Sequence, residues 1–238
     1  MWQEKLKKWW YPPVLAYHRV QPILSSETPV IFPEEFEKQM RILAERWKPV
    51  PLSAVIESLE TGKPLPERAV AVTFDDGTDD NFTFAFPILA RWKIPATIFL
   101  TVGEIGWPGF LAPQQIKQMA AAGISFGSHA LRHEYLPSLD PPQLERTLRE
   151  SKRKIEELGL PAEFISYPGG GYSAAVLEAV RKAGYRGGCT TNRGFERFPP
   201  DRWALRRITM HGRASNPAGI WVRCCGWYGL NRRLRAPA

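Results

Sequence analysis

Two adjacent carboxylates, Asp75 and Asp76, close the apolar run Val70-Ala71-Val72-Thr73-Phe74, with Gly77 in the turn behind them. Such a run reads as a buried strand ended by a glycine turn. The sequence therefore delivers two negative charges to a strand end, where they are costly unless something neutralises them. A divalent metal would do so. Two imidazoles follow in His129-x-x-x-His133, a spacing that sets both on one face of a helical turn. Ile124-Ser125-Phe126-Gly127 precedes His129, so this motif also begins at a strand end. Two His and one Asp would leave positions open on the metal for water and substrate, with the second carboxylate free to act as a base. A lone Asp-Asp pair is more often a solvated turn, and a lone HxxxH is more often incidental. Their joint placement at strand ends, in a chain with only four His (18, 129, 133 and 211), favours the metal.

Short apolar runs alternate with helical patterns along the chain, which predicts an α/β fold with parallel strands. Strands are expected at 14–17, 70–74, 96–101, 124–128, 163–167, 185–190 and 205–210. Helices are expected from Pro33, with Phe36, Met40, Leu43 and Trp47 on one stripe; from Leu52 to near Gly62; up to about Trp92; from Pro113 to Gly123; from Pro141, the longest, with Leu144, Leu148, Ser151, Ile155 and Leu158; and from Ser173 as cap to Lys182. His18, Asp75, Asp76, His129, Tyr167 and His211 then each fall at or just past the C-terminal end of a strand. In a β/α barrel that rim is where catalytic residues gather.

Thr73-Phe74-Asp75-Asp76-Gly77 taken with Ser128-His129-Ala130-Leu131-Arg132-His133 resembles the polysaccharide deacetylases, carbohydrate esterase family four. The resemblance spans roughly Pro13 to Arg213. Val14-Leu15-Ala16-Tyr17-His18-Arg19-Val20 and Phe164-Ile165-Ser166-Tyr167-Pro168-Gly169-Gly170 look like the branch acting on exopolysaccharide N-acetylglucosamine. The resemblance implies a distorted (β/α) barrel with fewer than eight strands. It also implies Asp75 as catalytic base, Asp76, His129 and His133 as metal ligands, and Tyr167 and Pro168 in the loop lining the groove, with Tyr167 offering a backbone N–H to the oxyanion. His211 is the candidate general acid and His18 lines the substrate site. Two departures stand out. Ala130 occupies a position where many members carry Ser or Thr, a hydroxyl that could brace the loop. Ser166 lies in the segment where many members place an Arg that orients the base.

At 238 residues the chain fits one large domain, and 44% hydrophobic with 24% charged residues is ordinary for a globular protein. No apolar run reaches the ~18 residues of a membrane span, and Met1 to Trp10 has no secretory h-region. These features point to a location in the cytoplasm or at the membrane periphery. Cys189, Cys224 and Cys225 make no disulfide framework or zinc ribbon and read as reduced thiols. Eight Arg against one Asp from Asp201 to Ala238 give this stretch +7 of the chain's +8. It reads as a solvated tail, from about residue 214, or as a contact with an anionic membrane or polyanion. Trp2, Leu6 and Trp9 at helical spacing, with Lys5 and Lys8, fit either a membrane interface or packing on the barrel.

The chemistry expected is hydrolysis of an N-acetyl amide. A bound Zn²⁺ (Co²⁺ and Ni²⁺ suit the same ligands) acidifies its water and polarises the carbonyl, while Asp75 takes the proton. Trp107 and Tyr135 are candidates for stacking on sugar faces. The rival readings are a non-haem Fe(II) oxygenase, disfavoured by the strand–helix alternation, and a metal-holding carbohydrate-binding module that no longer catalyses. A nucleic-acid binder lacks any supporting signature.

Overall fold

The computed structural model describes residues 11–23, 28–191, 200–212 and 215–224. The N-terminal aromatic–lysine segment, Cys225 and the basic stretch beyond it, including Trp227 and Tyr228, lie outside the described residues.

Seven parallel strands close into a barrel: β1 (Val14–Tyr17), β2 (Ala69–Phe74), β3 (Ala96–Leu100), β4 (Ser125–Ser128), β5 (Phe164–Ser166), β6 (Gly187–Thr190) and β7 (Leu205–Thr209). Each pairs in parallel with the next, and β1 closes the ring by pairing with both β2 and β7. These are the seven strands that the apolar runs predict. A short edge, Lys48–Pro49, adds to β2, and Arg19–Val20 pairs with Val30–Ile31 outside the barrel.

Helices α1 (Pro33–Arg46), α2 (Leu52–Thr61), α3 (Phe86–Trp92), α4 (Pro113–Ala121), α5 (Pro141–Glu157) and α6 (Ala174–Lys182) flank the strands. Their caps are legible in sequence. Asp140 accepts from the Gln143 N–H at 2.8 Å, Ser173 from Val176 at 3.3 Å, and Gly62 stops α2 in the left-handed conformation. An additional helix, α7 (Pro217–Cys224), opens the segment expected to be a tail. Ile220 and Cys224 are buried in the core, while Trp221 is exposed.

Alternation along the strands divides the core in two. Val14, Ala71, Phe99, Phe164, Cys189 and Leu205, one from each of six strands, form a cluster with Leu52, Val55 and Ile56 of α2. This is the barrel interior, plugged at one end by α2. On β4 the inward position is Gly127, where a Cβ would stand 2.8 Å from the Phe99 ring. The intervening residues, among them Leu15, Tyr17, Val72, Phe74, Ile98 and Ile165, pack outward under the helices. Burying each such aliphatic side chain contributes about 1.5–3 kcal/mol. The same parity decides which strand-end residues reach the barrel mouth.

Candidate active site

Asp75 continues the inward parity of Ala71 and Thr73 past the end of β2. It is buried, and its N–H still donates to the Tyr17 carbonyl at 3.0 Å. Asp76 then takes a left-handed conformation (φ 71°), which Asp tolerates better than most residues. Its carbonyl accepts from the Thr101 N–H at 3.1 Å, so the kink is held from the end of β3. Gly77 comes next at φ 72°, and a Cβ there would stand 2.6 Å from Leu100 Cδ2. Only glycine lets the turn pass β3 this closely.

His129 lies just past β4 and is buried; His133 is half-exposed. The segment between them is not a helical turn, contrary to the reading from HxxxH spacing. It is an irregular turn with Ala130 and His133 at positive φ, 64° and 54°. The rings nevertheless meet edge to face, with centroids 4.9 Å apart. The hydroxyl that Ala130 lacks is supplied from two residues earlier: Ser128 Oγ accepts the Ala130 N–H at 3.1 Å.

Asp76, His129 and His133 come together. His129 Nε2 lies 3.6 Å and His133 Nε2 3.7 Å from Asp76 Oδ1, and one ligand atom from each of the three falls within 4.8 Å of the others. These separations are too long for hydrogen bonds and suit three donors arranged around a cation. The donor set fits a divalent metal. His129 Nδ1 lies 2.8 Å from the Ser166 carbonyl, so Nδ1–H donates there and the lone pair of Nε2 faces Asp76. Burial pushes the His129 imidazole below its ordinary pKa, against the pull of Asp75 and Asp76, which favours the neutral form that can offer a lone pair to a cation.

Asp75 is gripped by Arg207, a residue that the sequence alone places only within a basic stretch. Arg207 Nη1 donates to Asp75 Oδ1 at 2.8 Å and Nη2 to Oδ2 at 2.6 Å. The same guanidinium reaches Thr73 Oγ1 at 3.0 Å and Ser166 Oγ at 2.7 Å. The arginine missing before Tyr167 has a counterpart on β7 that holds Asp75, and Ser166 Oγ accepts from it. A signal for it exists in Leu205-Arg206-Arg207-Ile208-Thr209: an arginine on the inward parity of a buried strand must find a counter-charge. Burial alone would raise the Asp75 pKa, but Arg207, with His129 and His18, holds it well below the usual carboxylate range.

His18 stands beside this pair, with Nε2 3.9 Å from Asp75 Oδ2. Tyr167 does not line the groove. It takes the outward parity, its ring is buried among Leu136, Leu148 and Val176, and its hydroxyl donates to the Trp203 carbonyl at 2.6 Å. Its N–H is also committed, to the Cys189 carbonyl at 2.9 Å. Pro168 is the next residue and is buried at the start of the turn Pro168–Gly170. His211 does not join the cluster. The Gln39 side chain donates to its carbonyl at 3.0 Å, and its Nε2 meets Arg223 Nη2 of α7 at 2.7 Å. Trp107 and Tyr135 are exposed, with Tyr135 lying against the loop at Gly171.

A closed parallel barrel with polar chemistry gathered on its C-terminal rim defines the β/α-barrel enzymes as a class. Comparison with known proteins narrows this. The family model described as polysaccharide deacetylase matches residues 62–188. YxkH of Bacillus subtilis (strain 168), whose name assigns it to the polysaccharide deacetylases, is 34% identical over 214 residues, 88% of this chain and 75% of its own length. The poly-beta-1,6-N-acetyl-D-glucosamine N-deacetylase of Staphylococcus epidermidis is 27% identical over 82% of this chain and 78% of its own. Among solved structures, the Streptococcus pyogenes deacetylase PplD in complex with acetate superposes with a TM-score of 0.83 at 25% identity, over 90% of this chain and 97% of that one. IcaB from Ammonifex degensii gives 0.78 at 27%, with the same coverage. The chain belongs to the polysaccharide deacetylase family, and it is an N-deacetylase hydrolase of the type that includes the poly-N-acetylglucosamine enzymes.

Proposed function

We propose that this protein removes N-acetyl groups from an N-acetylglucosamine polymer of the exopolysaccharide type, with a divalent cation held by Asp76, His129 and His133. The observation that carries the reading is the pairing of that three-donor cluster with an adjacent carboxylate clamped by Arg207. The names of the relatives, poly-beta-1,6-N-acetyl-D-glucosamine N-deacetylases among them, support the substrate class. When bound, Zn²⁺, or Co²⁺ or Ni²⁺ with the same donors, supplies Lewis acidity to the acyl oxygen and lowers the pKa of water to about 7.

The chain's own residues do the rest. Asp75, kept ionised by Arg207, accepts the proton of the attacking water. Each of its oxygens keeps a free lone-pair site after the bidentate grip. Tyr167 cannot give its N–H to the oxyanion, since Cys189 already takes it. The next N–H on the rim belongs to Gly169, second residue of the turn Pro168–Gly170, a position with no acceptor within its own turn. We assign the oxyanion contact to it. His18 replaces His211 as the acid that protonates the leaving amine. His18 Nε2 faces the Asp75 pair, whereas His211 Nε2 faces a guanidinium, which leaves it only an acceptor's role. Trp107 and Tyr135 offer exposed faces for sugar rings. Arg207 also removes the reason to read the site as an impaired binding module.

Acetate release from N-acetylglucosamine oligomers, with and without added metal, tests this reading. Metal-dependent release is expected; no release with any of the three ions overturns it. Among the described residues no helix is long and apolar enough to cross a membrane. Exposed Trp221, next to the basic terminal stretch, supports peripheral contact with an anionic membrane. That contact should appear as vesicle binding that weakens with salt, and its absence at low salt refutes it.

A further inference from the structure

The loop that begins with Asp75 and Asp76 does not end its work there. Four residues later it reaches Asp80 and Asn81, both buried, and both turn back onto the segment that carries His18. Asn81 Nδ2 donates to the His18 carbonyl at 3.0 Å. Asp80 Oδ2 accepts the Val20 N–H at 2.7 Å, and Arg19 Nη1 lies 3.5 Å from Asp80 Oδ1. Asn81 Nδ2 also donates to Asp80 Oδ2 at 3.2 Å and to Thr78 Oγ1 at 3.4 Å.

The local backbone explains how these side chains reach inward. Residues Asn81–Ala85 form a wide π-turn leading into α3. Pro87, second residue of α3, has no N–H to donate to the carbonyl four residues back and crowds it. The helix widens at its start, and Asn81 opens that wide turn. Such turns recur at functional sites.

We propose that Asn81 and Asp80 are positioning residues for the acid, clasping the backbone on either side of Arg19 so that the His18 imidazole stands over Asp75. The inference rests on the reading of His18 as the acid. One loop then sets the base and a metal ligand through its first residues and the acid through its last. The three groups keep their spacing as a unit, although His18 is far from them in sequence. In the reaction the C–N bond breaks as the amine nitrogen takes the proton from His18 Nε2–H. A displacement of about 1 Å at that proton can cost about 10²-fold.

The test compares two substrates on the metal-loaded full-length enzyme. An N-acetylglucosamine oligomer needs its amine protonated as it leaves; p-nitrophenyl acetate releases a phenolate that does not. His18→Ala should lower kcat on the oligomer far more than on the ester. Asn81→Ala should do the same, by about 10²-fold on the oligomer, with KM and metal content little changed. The double variant should be no worse than His18→Ala alone. Equal losses on both substrates for Asn81→Ala, or fully additive losses in the double variant, overturn the clasp. If His18→Ala itself leaves the amide-to-ester ratio unchanged, the assignment of the acid fails first and the clasp with it. Asn81→Ser, a smaller polar side chain without the Nδ2 donor to the His18 carbonyl, answers the same question should Asn81→Ala not fold.

Discussion

Arg207 and Asp75 meet in a two-point ion pair, at 2.8 and 2.6 Å, between strand β7 and the end of β2, which are not paired with each other in the sheet. Strand β1 lies between them, so the pair bridges the barrel mouth rather than running along the sheet. Both side chains are buried. Planar bidentate geometry of this kind is what arginine provides and lysine cannot.

Arg207→Lys should therefore keep the charge and still lose activity, because one ammonium cannot hold both carboxylate oxygens. Arg207→Met should lose more, leaving Asp75 buried and unpaired. Removing one partner of a buried pair typically costs about 3–5 kcal/mol, measured here as a lower unfolding midpoint. The pH response has a definite sign. Asp75 is held below its ordinary pKa, so the pair's stabilisation is present above the unfolded carboxylate value and is lost only as pH falls through the depressed folded one. In Arg207→Met, burial acts unopposed by the guanidinium, and the acid limb of kcat/KM should move to higher pH. An unmoved acid limb in a folded Arg207→Met protein would rule out the clamp as the cause of the shift.

Asp75→Asn should bind metal about as well as the wild type while losing about 10²–10⁴-fold in turnover. The amide has the shape of the carboxylate and cannot take the proton. Metal content by elemental analysis beside the rate separates the two effects. Wild-type turnover with metal present would remove Asp75 from the mechanism.

His129→Ala and Asp76→Ala should each abolish stoichiometric metal binding, since each takes away one of three protein donors. His133→Ala, at the half-exposed edge of the cluster, should weaken binding in the same direction. Chelation of the loaded wild type should lower its unfolding midpoint, because a ligand that binds only the folded state stabilises it by mass action. Isothermal titration with Zn²⁺ checks the first expectation and calorimetry the second.

His211→Ala and His18→Ala should separate cleanly. The His211 imidazole supports Arg223, which also donates to the Thr209 carbonyl at 3.0 Å and ties α7 to β7. Its loss should lower stability by about 1 kcal/mol, the scale of a hydrogen bond, with kcat on the oligomer kept. His18→Ala should leave stability nearly unchanged and reduce kcat. The opposite pattern would restore His211 as the acid.

Much of this molecule is legible in its sequence. Short apolar runs separated by capped amphipathic segments specify seven strands and their helices, because hydrophobic period and cap chemistry are local properties. Asp75-Asp76-Gly77 and His129-x-x-x-His133 carry the candidate site because few arrangements make such residues stable at strand ends. The short pairing Arg19–Val20 with Val30–Ile31 and the docking of α7 were not legible. Both depend on contacts between segments that neither segment announces alone.

The differences in which strand-end residues reach the barrel mouth share one physical origin. Position at a strand end places a residue on the rim; it does not say which way the side chain faces. Parity sends His18, Asp75 and Ser166 into the mouth and Tyr167 out under the helices, a rule the sequence already contained. His211 escapes even that rule, since β7 ends at Thr209, and Gln39 and Arg223 hold the residue two positions beyond it. The sequence by itself determined the strands, the caps, the carboxylate pair and the two imidazoles. Only the closed barrel decided that Arg207, 132 residues from Asp75, is its partner, because a buried guanidinium is stable only where the fold brings it a charge, and that meeting depends on ring closure rather than on any local run of residues.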